Sequence, residues 1–175
     1  MEMDEAKAEW IRRALQEYEG PLVRYAAQIT GDVDTARDVV QDTFLKLCGE
    51  APTRLDSHLA EWLFTVCRNR ALDVMRKEKR MKPLNETELA ACAGSEPSPA
   101  AQAEHNEDVN NARRLLNNLP PNQQEVVRLK FQNGLSYKEI SRTTDFSVSN
   151  VGFLIHTAIK TLRRQMQENQ GTIQS

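Results

Sequence analysis

The sequence predicts an all-α protein in which two small helical domains are joined by a flexible linker, the C-terminal one carrying a helix-turn-helix. Apolar residues recur at helical spacing along most of the 175 residues, whereas the alternation that marks strands is hard to find. In the middle of the chain this periodicity gives way to prolines, alanines and glutamates, which is typical of a linker. We therefore expect domains at residues 1–81 and 108–175, with an acidic flexible linker at 82–107.

Charge is distributed unevenly along the chain. The whole sequence has 23 Lys and Arg against 25 Asp and Glu, a net charge of −2, so overall basicity gives no sign of a nucleic-acid partner. Residues 112–175, however, hold nine basic and four acidic side chains, while residues 82–111 hold one and six. An acidic middle segment thus masks a basic C-terminal part, and a local positive balance suits contact with nucleic-acid phosphates.

Cysteine usage and hydropathy exclude several classes of protein. Cys48, Cys67 and Cys92 are far apart and lack the spacing of a metal site, and an odd number of cysteines without a signal peptide favours a reducing cytosol. The acidic start of the chain has no apolar segment of the secretory kind, and no apolar run approaches the length of a membrane span. We expect a cytoplasmic protein with no metal, no cofactor and no membrane insertion.

The first domain opens with an amphipathic helix, which we place at residues 4–18. Gly20 and Pro21 then predict a break or a kink, because proline disrupts the interior of a helix. Helical spacing of apolar residues continues beyond them to Gly31.

Residues 35–48 predict a helix with two distinct faces, capped by Asp32 or Asp34. A broad stripe is predicted to face the core and comprises Ala36, Val39, Val40, Thr43, Phe44 and Leu47. A second face, with i, i+3, i+4 and i+7 spacing, comprises Asp38, Gln41, Asp42 and Leu45. Such a polar face is often simply solvated, but a leucine among acids would also suit a partner helix.

Residues 49–57 are predicted to be a loop, and Ser57 can cap a long helix at 58–80. The first half of this helix carries apolar residues at core spacing, namely Leu59, Trp62, Leu63, Val66 and Cys67. Its second half, residues 68–80, holds six Lys or Arg against two acids. A basic run of this kind is commonly a solvated helix end whose cations complement the helix dipole, so composition alone leaves its role open.

The second domain begins with two predicted helices. The first, at residues 106–118, is expected to turn Val109, Ala112, Leu115 and Leu116 inward. Pro120-Pro121 interrupts the apolar run and can open the second, since proline suits the first turn of a helix but not its interior. Its apolar stripe is expected from Val126, Val127 and Lys130 with Phe131, and Gly134 ends it with a left-handed cap.

A capping box at Ser136 and Glu139 is the sharpest local signal in the sequence. The serine hydroxyl meets a free backbone N–H, and the glutamate reaches back to the cap. The helix it opens is short and ends near Asp145, a residue type that tolerates the left-handed backbone of a tight turn. Ser147 can then cap a longer helix that runs through Gln167.

Two helices joined by so short a turn match the helix-turn-helix, whose second helix enters the DNA major groove. Apolar contacts between them are expected from Ile140, Phe146, Val151 and Leu154, with the small Ser141 at the crossing. Capped helix pairs also occur in bundles that bind no DNA. The basic balance of residues 112–175 favours DNA reading here.

Taken in order, these segments resemble a bacterial RNA polymerase sigma factor of the extracytoplasmic-function (ECF) group, in the sigma-70 superfamily. The residues that carry the resemblance are GDVDTARDVVQDTFLKLC (31–48), HLAEWLFTVCRNRALDVMRKEKR (58–80) and LPPNQQEVVRLKFQNGLSYKEIS (119–141). The ECF group keeps only the second and fourth sigma domains, which fits the brevity of this chain. The resemblance implies a non-enzymatic protein that binds core RNA polymerase and directs it to specific promoters for transcription initiation.

The resemblance also implies roles for particular residues. The helix that docks on the coiled coil of the largest polymerase subunit would present Asp38, Gln41, Asp42 and Leu45. A loop containing Arg54, Asp56, Ser57 and His58 would capture an extruded base of the −10 element. The basic helix would contact −10 DNA through Arg68, Asn69, Arg70, Arg76 and Lys77.

The C-terminal domain, by the same resemblance, would read the −35 element and meet the polymerase flap with its other surface. The residues implied in reading are Lys138, Arg142, Ser149, Asn150, Gly152, Phe153, His156 and Lys160. This reading helix departs from the family pattern, because residues 151–159 contain no lysine or arginine. Many relatives are held inactive by an anti-sigma factor, which is a possible further partner.

Two other functions compete with this one. A helix-turn-helix regulator that is not a polymerase subunit would need a receiver domain or ligand pocket, and the N-terminal half has neither a glycine-rich loop nor an α/β pattern. An enzyme would need a nucleophile joined to a base, but His58, His105 and His156 are scattered and no such motif is present. The sequence therefore favours a non-enzymatic DNA- and polymerase-binding protein.

Overall fold

The computed structural model describes residues 2–81 and 106–172, and contacts divide the chain into two compact units, residues 1–97 (unit 1) and 98–175 (unit 2). Unit 1 contains α1 (Glu2–Thr30), α2 (Val33–Cys48), α3 (Pro52–Leu55) and α4 (Leu59–Met81). Unit 2 contains α5 (Asn106–Asn117), α6 (Pro121–Phe131), α7 (Tyr137–Thr144) and α8 (Val148–Thr172). The all-α prediction is confirmed. Most of the predicted linker lies outside the described residues.

The break predicted at Gly20 and Pro21 is absent, since α1 runs through Pro21 as one helix. Proline clashes with the residue before it in a helix, and here that residue is glycine, which has no Cβ to clash. Packing supplies the rest of the explanation, because Ala14 before the proline and Leu22 after it are both buried. Tertiary contacts on both sides thus hold a helix that local sequence alone would interrupt.

Unit 1 is a bundle of α1, α2 and α4. The stripe predicted on α2 is confirmed, because Ala36, Val39, Val40, Thr43, Phe44 and Leu47 are all buried. From α4, Leu63 and Cys67 are buried as expected, together with Phe64 and Ala71, which the sequence analysis did not select. The ring of Phe64 meets that of Tyr25 edge-on, with centroids 5.4 Å apart. Burial raises the pKa of the Cys67 thiol to about 12.

The connection between α2 and α4 is more ordered than the predicted loop. Residues Pro52–Leu55 form the short helix α3, which proline opens and which buries Leu55. The long helix α4 starts at Leu59, and the first carbonyl of its ladder belongs to His58, which accepts from Trp62. Ser57 is therefore one residue too early to be its N-cap.

Helix caps in unit 1 and unit 2 match the sequence closely. The Asp32 side chain accepts from the Thr35 N–H at 2.7 Å, and hydrogen bonds from Thr35 lower the pKa of Asp32. Asp34 lies instead in the first turn of α2. At the end of α6, Gly134 takes the left-handed backbone expected of it, with φ of 72°.

The helix-turn-helix has the predicted local geometry. The Ser136 N–H donates to Glu139 Oε2 at 2.6 Å while the Glu139 N–H donates to the Ser136 hydroxyl, which completes the capping box. The bond from the Ser136 N–H to the Glu139 carboxylate, and after it a side-chain hydrogen bond from Ser136, lower the pKa of Glu139. Asp145 has a φ of 62°, and Ser147 Oγ accepts from the Asn150 N–H at 3.1 Å. The turn and the start of α8 are thus confirmed.

The core of unit 2 is built mainly from α6, α7 and α8. Its largest fully buried side chains are Leu129, Leu135, Ile140, Ile155, Val126 and Val151. Three sequence assignments are wrong: Phe131 is 62% exposed, Val109 is 45% exposed, and Ala112 is also exposed. Because Leu129 takes the inward position on α6, Phe131 is rotated away from the core.

Two properties of the described residues bear on the class of protein. None of the helices in residues 2–81 and 106–172 is both long and apolar enough to cross a membrane. Over the same ranges, His, Cys, Asp and Glu side chains form no group of three or more that could hold a metal ion.

Candidate nucleic-acid interface

The exposed face of α2 lies opposite its buried stripe. Asp38 and Gln41 are exposed, Asp42 is half-buried, and Leu45 is 65% exposed. A large apolar side chain left in water gains free energy from a partner that covers it. This face can therefore bind a protein surface that offers an apolar contact among cations.

Asp42 is engaged with α4. Arg70 Nε donates to Asp42 Oδ2 at 2.7 Å, and both side chains are a little more than one-third exposed. The structure thus joins two residues that the family resemblance assigns to different partners, Asp42 to polymerase and Arg70 to DNA. Because the pair connects α2 to α4 across 28 residues, the sequence pattern gave no sign of it.

The other α4 residues implied in DNA binding differ in their solvent exposure and ion pairing. Arg68 is half-buried, whereas Asn69 and Lys77 are exposed. Arg76 is exposed but forms an ion pair with Asp73 at 3.2 Å, one turn away on the same helix. Surface pairs of this type are weak, so an incoming phosphate can displace the carboxylate at small cost. The exposed side of α4 can accordingly hold a nucleic-acid backbone.

Residues 54–58, from the end of α3 to the start of α4, are anchored on one side. Arg54 pairs with Glu50 at 3.7 Å, and Asp56 Oδ1 accepts a hydrogen bond from the indole N–H of Trp10 at 3.1 Å. Ser57 and His58 are exposed, with Ser57 Oγ 3.2 Å from His58 Nδ1. A hydroxyl and an imidazole are therefore presented to solvent as hydrogen-bonding groups.

In unit 2, the first turns of α8 present a neutral surface. Ser149, Asn150 and His156 are exposed, and Phe153 is 65% exposed. Lys160 is exposed further along the helix, and Lys138 and Arg142 are exposed on α7. Hydrogen-bonding and apolar groups thus occupy the centre of the face, and cations flank it. Such a face can contact base edges in the major groove while the cations meet phosphates.

Gly152 has a neighbour that the sequence did not indicate. A Cβ at this position would meet the ring of Tyr137 at 3.7 Å, an ordinary contact distance, so the glycine faces α7 as well as the open surface. The ammonium group of Lys130 lies over the same Tyr137 ring, with its Nζ 5.4 Å from the ring centre. Tyr137 is therefore a candidate interface residue that sequence reasoning missed.

Comparisons with known proteins agree with this arrangement. A family profile described as Sigma-70 region 2 matches residues 14–81, and one described as Sigma-70, region 4 matches residues 110–162. The chain is 28% identical over 149 residues to the ECF RNA polymerase sigma factor SigM of Bacillus subtilis, which covers 85% of this chain and 90% of that protein. It is 27% identical over 167 residues to the ECF RNA polymerase sigma factor SigL of Mycobacterium tuberculosis, covering 93% and 92%.

A solved structure supports the fold. The sigma factor RpoE of Bartonella quintana, crystallised with the anti-sigma factor NepR, is similar with a TM-score of 0.64 and 24% identity. The similarity covers 89% of this chain and 96% of that chain. The two helical units found here are therefore a known arrangement of elements.

Proposed function

Because this chain belongs to the ECF group of the sigma-70 family, which directs RNA polymerase to promoters, we propose that its two units divide that task. Residues 1–81 dock on core polymerase and recognise and melt the −10 element, residues 82–107 form a flexible linker, and residues 108–175 recognise the −35 element. The observation that carries this division is the exposed face of α2, where Leu45 stands among acids opposite a fully buried stripe.

Docking is assigned to Asp38, Gln41, Asp42 and Leu45. The exposed leucine supplies apolar area, and the acids supply charge complementarity to a basic coiled coil of the largest polymerase subunit. Since the core stripe of α2 is on the other side of the helix, docking requires no rearrangement of unit 1.

Recognition of the −10 element is assigned to the capture loop, residues 54–58, and to α4. Ser57 and His58 are exposed and offer hydrogen-bonding groups to an extruded base, whose unstacking costs a few kcal/mol. The polar side of α4, with Arg68, Asn69, Arg76 and Lys77, then holds the separated strands by their phosphates.

Recognition of the −35 element is assigned to the neutral face of α8 and its flanking cations. Asn150 suits adenine, Phe153 suits a thymine methyl group, and His156 can hydrogen-bond to a base edge. Because residues 151–159 of the reading helix contain no lysine or arginine, this face gains little from counterion release, so the affinity of unit 2 for duplex alone is low. Tethering through the polymerase, including the flap, supplies the missing affinity as effective concentration.

Control by an anti-sigma factor is part of the proposal. The similar structure of Bartonella quintana RpoE is a complex with the anti-sigma factor NepR, and we assign this chain a partner of the same kind.

A factor that acts on chromosomal promoters works in the cytoplasm, so we assign this chain to the cytoplasm as a non-enzymatic factor.

Reconstitution with core polymerase tests docking. We expect Gln41→Ala with Leu45→Ala to weaken core binding about tenfold or more in a titration, because it removes a central apolar contact of the interface. The matched control is Arg37→Gln, an exposed change on the same helix outside this face. Run-off transcription by the parent with core polymerase should start at a defined site.

If the double variant keeps its core affinity and its helical circular dichroism, core polymerase binds a surface other than this face of α2. A parent protein that binds promoter DNA but starts no transcript with core polymerase would indicate an ordinary helix-turn-helix regulator instead.

A further inference from the structure

A hydrogen bond links the first part of α1 to the capture loop. The indole N–H of Trp10 donates to Asp56 Oδ1 at 3.1 Å across 46 residues of sequence. Trp10 precedes the segment that matches Sigma-70 region 2, which begins at residue 14. The bond therefore ties the loop to a part of the chain that the family profile does not cover.

One buried side chain and two backbone hydrogen bonds hold the turn of the capture loop. Leu55 is buried with 4% of its surface exposed, and the backbone N–H of Asp56 donates to the Pro52 carbonyl at 3.0 Å. The N–H of His58 donates to the Leu55 carbonyl at 2.9 Å, which closes the turn. Backbone bonds thus set the turn, while the Asp56 side chain is held by Trp10.

We propose that Trp10 is a positioning residue for base capture: by holding Asp56, it fixes the direction in which Ser57 and His58 face the extruded base. The proposal rests on the assignment of base capture to this loop. Asp56 then acts as an anchor, since its Oδ1 accepts from the indole. Because Asp56 is already held, less conformational entropy of the adjacent Ser57 and His58 is lost when a base is captured.

The chemistry of the pair defines the variants. Tryptophan offers one N–H donor, and phenylalanine keeps an aromatic ring of similar packing without it. Asparagine at position 56 keeps an oxygen that can accept from the indole, whereas alanine removes it. Trp10→Phe and Asp56→Ala therefore break the bond, and Asp56→Asn preserves it.

The test is a promoter library randomised across the −10 element, transcribed by the full-length chain with core polymerase. We expect Trp10→Phe and Asp56→Ala each to reduce the preference for the best base at the captured position about fivefold, the worth of one hydrogen bond. The double variant should be no worse than either single one. Asp56→Asn should keep most of the preference, and core affinity should stay at the parent value throughout.

Trp62→Phe is the matched control, because it removes the other tryptophan of unit 1 without touching the loop bond. Ser57→Ala and His58→Ala test base capture itself. If they alter the preference and Trp10→Phe does not, capture by the loop stands and the positioning role of Trp10 is overturned. If none of these changes alters the preference, base capture is misassigned and the positioning role falls with it. A loss in Trp10→Leu without one in Trp10→Phe would show that the ring stacks on a base, which also overturns positioning.

Discussion

Unit 1 and unit 2 are shaped by interactions of different range. In unit 1, the bonds of Trp10 to Asp56 and of Arg70 to Asp42 span 46 and 28 residues of sequence. In unit 2, the helix-turn-helix is set by bonds between near neighbours, such as the capping box and the bond from the Ser141 hydroxyl to the Phe146 carbonyl, five residues on. Local bonds define the turn and the ends of the helices in the helix-turn-helix, whereas the capture loop of unit 1 is held by elements far away in the chain.

The largest effect is expected where unit 1 depends on long-range packing. Phe64→Ala removes a fully buried ring and its contact with Tyr25, so we expect a loss of about 3–5 kcal/mol in the free energy of unfolding of unit 1. Urea unfolding followed by tryptophan fluorescence measures it, because both tryptophans of the chain, Trp10 and Trp62, lie in unit 1.

The matched change in unit 2 is Phe153→Ala, which removes a ring that is 65% exposed and should change stability by less than about 0.5 kcal/mol. A shift of the unit 2 transition by Phe64→Ala, seen by circular dichroism, would show that the effect of this substitution is not confined to unit 1.

The next effect concerns the neutral reading face of unit 2. On the proposed assignment, Asn150→Ala with His156→Ala removes two base-edge contacts, each worth about 1–3 kcal/mol, so transcription should lose at least tenfold in its dependence on the −35 sequence. Reconstituted transcription from promoters with intact and scrambled −35 elements measures this loss. Gln167→Ala, an exposed change further along α8, is the control. Full retention of −35 dependence would mean that the face binds something other than DNA.

The local character of unit 2 can be tested at its capping box. Ser136→Ala removes the acceptor for the Glu139 N–H and should lower the free energy of unfolding of unit 2 by about 1 kcal/mol. The tryptophan-detected transition of unit 1 should not move. A shift in both transitions would show that the box supports more than its own helix.

The same box predicts a dependence on pH. The pKa of Glu139 is lowered in the folded state, so its contribution is present above its ordinary pKa of 4.5 and is lost as the pH falls through the folded pKa. The stability difference between the parent and Glu139→Gln should therefore shrink as the pH is lowered below about 4.5. If this stability difference does not change with pH, it comes from packing and not from the charge of Glu139.

A small effect is also expected at the Asp42–Arg70 pair. It is partly exposed, so a double-mutant cycle of Asp42→Asn and Arg70→Gln should give a coupling of about 0.5 kcal/mol in the unfolding of unit 1. If Arg70 serves to orient Asp42 for docking, each single variant should lower the affinity for core polymerase. Loss of −10 function with Arg70→Gln alone would assign the arginine to DNA.

The difference in range explains what could be predicted from the sequence. The capping box, the left-handed Asp145 and the Ser147 cap depend on neighbouring residues, and all were predictable. So was the buried stripe of α2, because helical spacing is a local property. The exposed Phe131 was mispredicted because helical spacing permits more than one inward face, and contacts with other helices select one.

Long-range partners could not be predicted in the same way. No spacing rule connects Trp10 with Asp56 or Arg70 with Asp42, so the candidate site was identified residue by residue without its supporting bonds. Continuity of α1 through Pro21 was missed for the same reason, since its support comes from side chains buried against other helices.

Pro21 divides α1 into two segments whose backbone amides are expected to exchange with solvent at different rates. Proline has no N–H, so the carbonyl of Glu17 receives no ladder bond from position 21, although the helix continues. Beyond it, Leu22, Tyr25 and Ala26 are buried, whereas every side chain at 5–13 is exposed or half-buried. In deuterium exchange, amides at 22–30 should exchange only when unit 1 unfolds as a whole, and those at 5–13 should exchange earlier by fraying. The helix that carries Trp10 thus contains a slowly and a rapidly exchanging half.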